Sequence, residues 1–185
     1  MPQRRFDLYS AFLHCALVAL AVLTARLAYE NHQLKQPPEV AQLEIGASVE
    51  AVPVQTLAGS EQTLGWASQD AKERLLLVFT TTCPACKENQ TTWRALYEQV
   101  GGSVEVVGIS LDQLEATRAY RQVQDLPFPV VIPRDPEAFT QGYEISAVPL
   151  TLHIGGDGRV KGSWLGALTA EQLTDLTRHI EDRST

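Results

Sequence analysis

Of the three cysteines in this chain of 185 residues, two stand together as Cys83-Pro84-Ala85-Cys86, and no other stretch restricts the possible folds as much. The third, Cys15, lies in an apolar N-terminal segment, so a disulfide within the rest of the chain can only join Cys83 to Cys86. A ring that short restrains the unfolded chain far less than a long loop would, which makes the pair a poor staple. It reads as chemistry. The preceding residues, Leu75-Leu76-Leu77-Val78-Phe79-Thr80, form the continuous apolar run that a strand buried on both faces requires. After the pair, Trp93, Leu96, Tyr97 and Val100 recur at helical spacing, and Gly101-Gly102 ends the run.

The implied local structure is strand, tight turn, then Cys83 at the mouth of a helix, with Pro84 in the first turn where a proline is tolerated. Unpaired N–H groups and the positive end of the helix dipole favour a thiolate there. Such placement lowers a cysteine pKa from about 8.5 into the range of about 3.5 to 7.5. Cys83 is therefore the candidate nucleophile. Cys86, one turn deeper, is the candidate resolving thiol, placed to attack a mixed disulfide on Cys83. Two blander readings exist, a zinc half-site and a pair of inert thiols. A structural zinc site needs four ligands and there is no second cysteine pair, while the strand-to-helix setting is the one redox dithiols use.

Composition narrows the partners. Fifteen basic against 22 acidic residues give a net charge of −7, which disfavours nucleic acid. Gly-rich phosphate loops, HExxH helices, calcium loops and internal repeats are absent from the sequence. His14, His32, His153 and His179 are scattered and read as surface or strand residues rather than metal ligands.

In chain order, residues 1–7 form a short tail carrying Arg4 and Arg5. From Leu8 to Ala25 there are 18 residues without a charge, 15 of them apolar, enough for a helix of about 27 Å that could span a bilayer. Residues 8–29 are read as an uncleaved signal anchor in preference to a cleaved signal peptide, because Arg26 stands where a cleavage site needs a small residue. Cys15 is read as membrane packing. Residues 30–42, polar and with Pro37-Pro38, are read as a linker, and residues 43–185 as the folded domain.

Within that domain, Val52 to Leu57 and Glu61 to Leu64 flank a glycine turn as two short strands. Val104 to Ile109 and Phe128 to Ile132 are further strand candidates. Asp112 with Glu115 reads as a capping box opening a helix with Leu114, Tyr120 and Val123. Asp135-Pro136 starts a short helix, Leu150 to Ile154 and Val160 to Leu165 form a hairpin, and Thr169 with Gln172 caps a last helix. The alternation predicts an α/β fold, a mixed sheet flanked by helices, with an N-terminal β-hairpin extension and an N-terminal transmembrane helix.

The dithiol after a buried strand, the early hairpin, Tyr143-Glu144-Ile145-Ser146-Ala147-Val148-Pro149, and the Gly-Asp-Gly hairpin before a capped helix together resemble the membrane-anchored thioredoxin-like proteins of the TlpA/ResA (redoxin) type. The resemblance covers roughly Leu43 to Ile180. It implies a thioredoxin-like fold, a cis Val148-Pro149 bond beside the cysteines, and Val148 offering backbone groups to an extended substrate; an ordinary strand-start proline is the alternative. Thr82, Pro84 and Ala85 complete the motif. Where thioredoxins commonly carry tryptophan before the first cysteine, this chain has Thr82, and Leu77 replaces a buried acid of the strand. Asn89 occupies the position at which ResA-like members have a glutamate that accepts a proton. Glu88, the adjacent acid, points about 100° away around the helix.

The resemblance implies a thiol-disulfide oxidoreductase, usually a reductant, run by its two thiols without cofactor or metal. Its implied partners are substrate proteins with disulfides, such as cytochrome or metal-site cysteines, and a membrane thiol electron donor. Arg4 and Arg5 on one side of the apolar run and Arg26 and Lys35 on the other nearly balance, but so short an N-terminal tail usually stays in the cytoplasm, so the expected location is the cytoplasmic (inner) membrane with the soluble domain on the periplasmic side. Two other readings compete. Thr80-Thr81-Thr82-Cys83 fits the Thr-x-x-Cys of peroxiredoxins, although Leu76 stands where that family has proline. A non-enzymatic thioredoxin-fold metallochaperone would need His153 as a ligand.

Overall fold

Leu75, Leu76, Leu77 and Val78 are all completely buried, so successive side chains on opposite faces of one strand both find a core; that is the physical content of an unbroken apolar run. The computed structural model describes residues 13–28, 43–66 and 72–181. The chain divides into two units, residues 1–40 and residues 41–185.

The second unit runs β1 (Val52–Thr56), β2 (Glu61–Leu64), β3 (Arg74–Phe79), α1 (Pro84–Val100), β4 (Glu105–Ser110), α2 (Leu114–Gln124), β5 (Val130–Pro133), α3 (Pro136–Gly142), β6 (Leu150–Ile154), β7 (Val160–Leu165) and α4 (Ala170–Glu181). One seven-stranded sheet has the order β2-β1-β5-β4-β3-β6-β7. The buried strand β3 pairs parallel with β4 and antiparallel with β6. The early hairpin is no appendage, because β1 also pairs antiparallel with β5.

Alternation along β3 builds two cores. Leu76 and Val78 face Val107, Ile109, Phe139 of α3, Tyr143 and Trp66. On the other side Leu75, Leu77 and Phe79 meet Cys86, Trp93, Leu96 and Val100 of α1, with Leu176 and Ile180 of α4. The capping expectation for α4 is met by reciprocal bonds: Thr169 N donates to Gln172 Oε1 at 2.9 Å, and Gln172 N donates to Thr169 Oγ1 at 3.2 Å. Asp135 likewise caps α3, its Oδ1 accepting from Ala138 N at 2.9 Å.

Helix α2 departs from expectation. Its N-cap is Gln113, which makes no side-chain cap bond, and Asp112 turns elsewhere. Val123 is 77% exposed, and the buried residue is Thr117. A series spaced only by threes drifts around the helix, and at about 100° per residue Val123 lies on the side opposite Leu114. The fifth strand-like run also begins later than expected, at Val130; Phe128 instead buries its ring edge-on to Tyr97, centroids 6.1 Å apart.

In the first unit, residues 13–28 are helical. Among the described residues no helix is long and apolar enough to cross a membrane. The start of the expected span, Leu8 to Phe12, and the expected linker 30–42 lie outside the described residues.

Tyr143 ties α3 to the N-terminal part of the domain, donating to the Glu50 carbonyl at 2.7 Å. Burial is the main cause that pushes its phenol well above the ordinary value, with Glu50 adding to the rise and Trp66 opposing it. A phenol kept neutral by the fold contributes its full stability below the unfolded value of about 10 and loses it as pH climbs toward the folded value. The urea midpoint should therefore fall above about pH 10. Tyr143→Phe should flatten that alkaline decline while lowering stability near neutrality by about 1 kcal/mol.

Candidate active site

Strand β3 stops at Phe79, residues 80–82 turn, and Cys83 becomes the N-cap of α1 with φ −77° and ψ 115°. Pro84 opens the first turn, where its missing N–H costs nothing. Cys83 and Cys86 are joined as a disulfide with Cα atoms 5.2 Å apart. The backbone N–H of Cys86 also points at Cys83 Sγ, 3.0 Å away. A helix start thus directs a donor and its dipole at that sulfur. The two sulfurs are unequal in access: Cys83 is half-buried and Cys86 fully buried.

The carbonyl oxygen of Val148 lies 3.7 Å from Cys83 Sγ. The bond that follows, Val148–Pro149, is cis, and Pro149 is buried at the start of β6. Thr82 and Pro84 are exposed beside Cys83, and Ala85 is half-buried. Thr82 and Pro84, the exposed chain neighbours of Cys83, and Val148, whose carbonyl faces its sulfur, all lack charge.

Asp112 was missed as a site residue. Its Oδ2 accepts from Thr81 N at 2.5 Å and from Thr81 Oγ1 at 2.7 Å, which pins the turn leading into Cys83. A signal for it existed. Strands β3 and β4 are parallel, with Phe79 opposite Ser110, so an acid just past β4 lands beside the turn just past β3, at the carboxyl ends where α/β sheets gather their chemistry. Two bonds to a carboxylate are worth roughly 1.5–3 kcal/mol each when intact. Asp112→Ala should cost about 3 kcal/mol, the lower end for two such bonds at a half-buried site, in denaturation free energy and slow disulfide exchange about tenfold, whereas Asp112→Asn should recover part of both. Unchanged exchange in Asp112→Ala would show that the turn holds itself.

Behind the dithiol, Tyr120 stacks on Phe79 with centroids 5.4 Å apart and hydrogen-bonds Gln90. Burial raises the Tyr120 phenol above its ordinary value, against a lowering by Gln90. Glu88 is exposed and so serves as a surface charge of α1. Asn89 is buried, and its Oδ1 accepts from Leu168 N at 3.0 Å. His153 is far from the cysteines: it pairs with Leu75 at the other end of β3, about 13 Å of strand from Phe79, with Nε2 2.8 Å from Glu73 Oε2. The metallochaperone reading loses its histidine.

Comparison with known proteins agrees with this geometry. Residues 45–162, more than half of the chain, match the AhpC/TSA family. The chain belongs to the AhpC/TSA family. Within the family's reach, it is 25% identical over 111 residues to the sporulation thiol-disulfide oxidoreductase A of Bacillus subtilis (strain 168), covering 57% of this chain and 67% of that protein. Its fold is similar to the crystal structure of StoA from Bacillus subtilis, with TM-score 0.57 at 21% identity over 71% of this chain and 98% of that one. A thiol:disulfide interchange protein from Bacteroides sp. gives TM-score 0.62 at 17% identity, covering 76% and 90% of the two chains. A peroxiredoxin-like protein from Aquifex aeolicus gives 0.63 at 12%, covering 76% and 89%. The AhpC/TSA chain described here has a thioredoxin-like fold and is a thiol-disulfide oxidoreductase.

Proposed function

We propose that the enzyme reduces protein disulfides outside the cytoplasm, with Cys83 as nucleophile and Cys86 as resolving thiol. The observation that carries this reading is the unequal access of two bonded sulfurs at a helix start. The Cys83 thiolate attacks one sulfur of a substrate disulfide, forming a mixed disulfide and expelling the other sulfur as a thiolate. The Cys86 thiolate then attacks Cys83 Sγ, the bond to the substrate breaks, and the second substrate sulfur leaves as a thiolate that takes a proton from solvent. The dithiol ends oxidised and the substrate disulfide reduced, by two electrons. Val148 aligns the substrate backbone with its carbonyl.

The reducing direction and the location follow the TlpA/ResA resemblance together with the apolar run Leu8 to Ala25, which would tether the domain. Electrons then come from a membrane thiol carrier, and substrates are proteins such as those with cytochrome or metal-site cysteines. Equilibration of the Cys83–Cys86 couple with glutathione tests the direction. A potential near about −270 mV, as in thioredoxin, is expected; a value near about −120 mV, as in DsbA, would make the protein an oxidant.

A further inference from the structure

Asn89 is 1% exposed, and the assignment of its amide is set by its surroundings. Leu168 N donates to Oδ1, so the oxygen must face Leu168 and Nδ2 must be the free end. That Nδ2 is buried and has no hydrogen-bond partner. A buried donor left unmade costs about 1–3 kcal/mol, so a native fold keeps few of them and each one points to a specific role.

The position of Asn89 says which state. It follows Cys86 by one helical turn on the same buried face of α1, where i and i+3 side chains are neighbours and lean toward the helix N-terminus. Asn89 and Cys86 thus share one side of α1 one turn apart, and in the disulfide no hydrogen bond joins Nδ2 to the Cys86 sulfur. In the disulfide, Cys86 Sγ is a neutral and weak acceptor. Reduction and ionisation turn it into a full negative charge, in an apolar cluster with Phe79, Trp93, Leu168 and Leu176. Among the described charged side chains of α1 and the packed helix α4, Lys87, Glu88, Glu98, Glu171, Asp175 and Arg178 are exposed, and half-buried Arg94 is engaged by the Gln124 and Asp125 carbonyls. None of them neutralises a buried thiolate well.

We propose that Asn89 is the hydrogen-bond donor for the resolving sulfur, its Nδ2–H group binding the Cys86 thiolate once the dithiol is reduced. The amide exchanges no proton and only stabilises charge; it raises the thiolate fraction of Cys86 so that release from the mixed disulfide proceeds near neutral pH. This assignment rests on the exchange reading above, and its test is chosen to work without turnover.

In the full chain carrying Cys15→Ser and Cys83→Ser, the carbon-13 shift of the labelled cysteine Cβ follows ionisation of Cys86 alone. Asn89→Leu removes the donor without adding a charge, and the titration midpoint of Cys86 should move up by about one pH unit or more, the size expected for a hydrogen bond to a charged group. With Cys83 restored, single-turnover release of a mixed disulfide should slow only three- to fourfold near neutrality. A tenfold loss of thiolate is partly offset by the greater nucleophilicity of a more basic sulfur. Release should recover fully at alkaline pH, which a merely loosened fold would not do. Since Asn89→Leu also loses the Leu168 bond, the unsubstituted protein supplies a second readout: the Asn89 side-chain amide resonance should shift downfield on reduction and follow the Cys86 titration. An amide resonance identical in both redox states, or an unmoved midpoint in folded Asn89→Leu, would overturn the assignment. Failure to reduce any protein disulfide, with the titration shifts intact, would instead count against the proposed direction alone.

Discussion

Cys86→Ser is expected to turn the enzyme into a trap. Cys83 remains at the helix start, half-buried, with the residue-86 N–H still directed at its sulfur, so attack on a substrate disulfide proceeds. Nothing then remains to release the product, and substrates accumulate as mixed disulfides while turnover falls to the uncatalysed level. Cys83→Ser should lose turnover equally and capture nothing, because the remaining sulfur is fully buried. Non-reducing electrophoresis separates the two outcomes directly. Adducts recovered from Cys83→Ser, and not from Cys86→Ser, would reverse the roles. The peroxidase alternative is exposed by the same pair, since there Cys83 would pass through a sulfenic acid on peroxide and protein adducts would not form.

The largest expected effect on stability belongs to Trp93. Its indole is 1% exposed, lies 6.3 Å from the Phe79 ring, and donates Nε1–H to Thr151 Oγ1 at 3.0 Å. One side chain thus holds the cysteine helix to two strands, β3 through packing and β6 through a buried hydrogen bond. Trp93→Ala should destabilise by about 3–5 kcal/mol through lost burial and an unfilled cavity, a large share of the roughly 5–15 kcal/mol a domain possesses. Trp93→Phe keeps most of the ring but deprives the Thr151 hydroxyl of its donor, for about 1–3 kcal/mol. Urea midpoints with unchanged slopes would read both losses. A shift below about 1 kcal/mol for Trp93→Ala would mean that the indole does not anchor α1.

Much of the site was legible without coordinates. Strand β3, the cysteines and α1 follow from an apolar run, a short cysteine spacing and a helical repeat, and the caps of α3 and α4 follow from side chains within three residues of the groups they satisfy. Where a local pattern misled, a distant partner had claimed the residue. Asp112 has the spacing of a capping box with Glu115, yet its carboxylate is taken by Thr81, 31 positions away; two charge-assisted bonds at the end of a parallel sheet outweigh one exposed cap.

What the sequence by itself determined is therefore the local unit around the dithiol: which two sulfurs meet, which of them opens a helix, and which strand is buried on both faces. These depend on backbone geometry over a few residues, and periodicity records that geometry. Only the tertiary structure decided what surrounds the sulfurs. Val148 reaches Cys83 across 65 positions, Leu168 fixes Asn89 across 79, and β1 joins the sheet through β5 rather than standing apart with β2. Each of these is set by strand order, and strand order is chosen by which faces can be buried together, a property of the whole chain that no window of neighbouring residues contains.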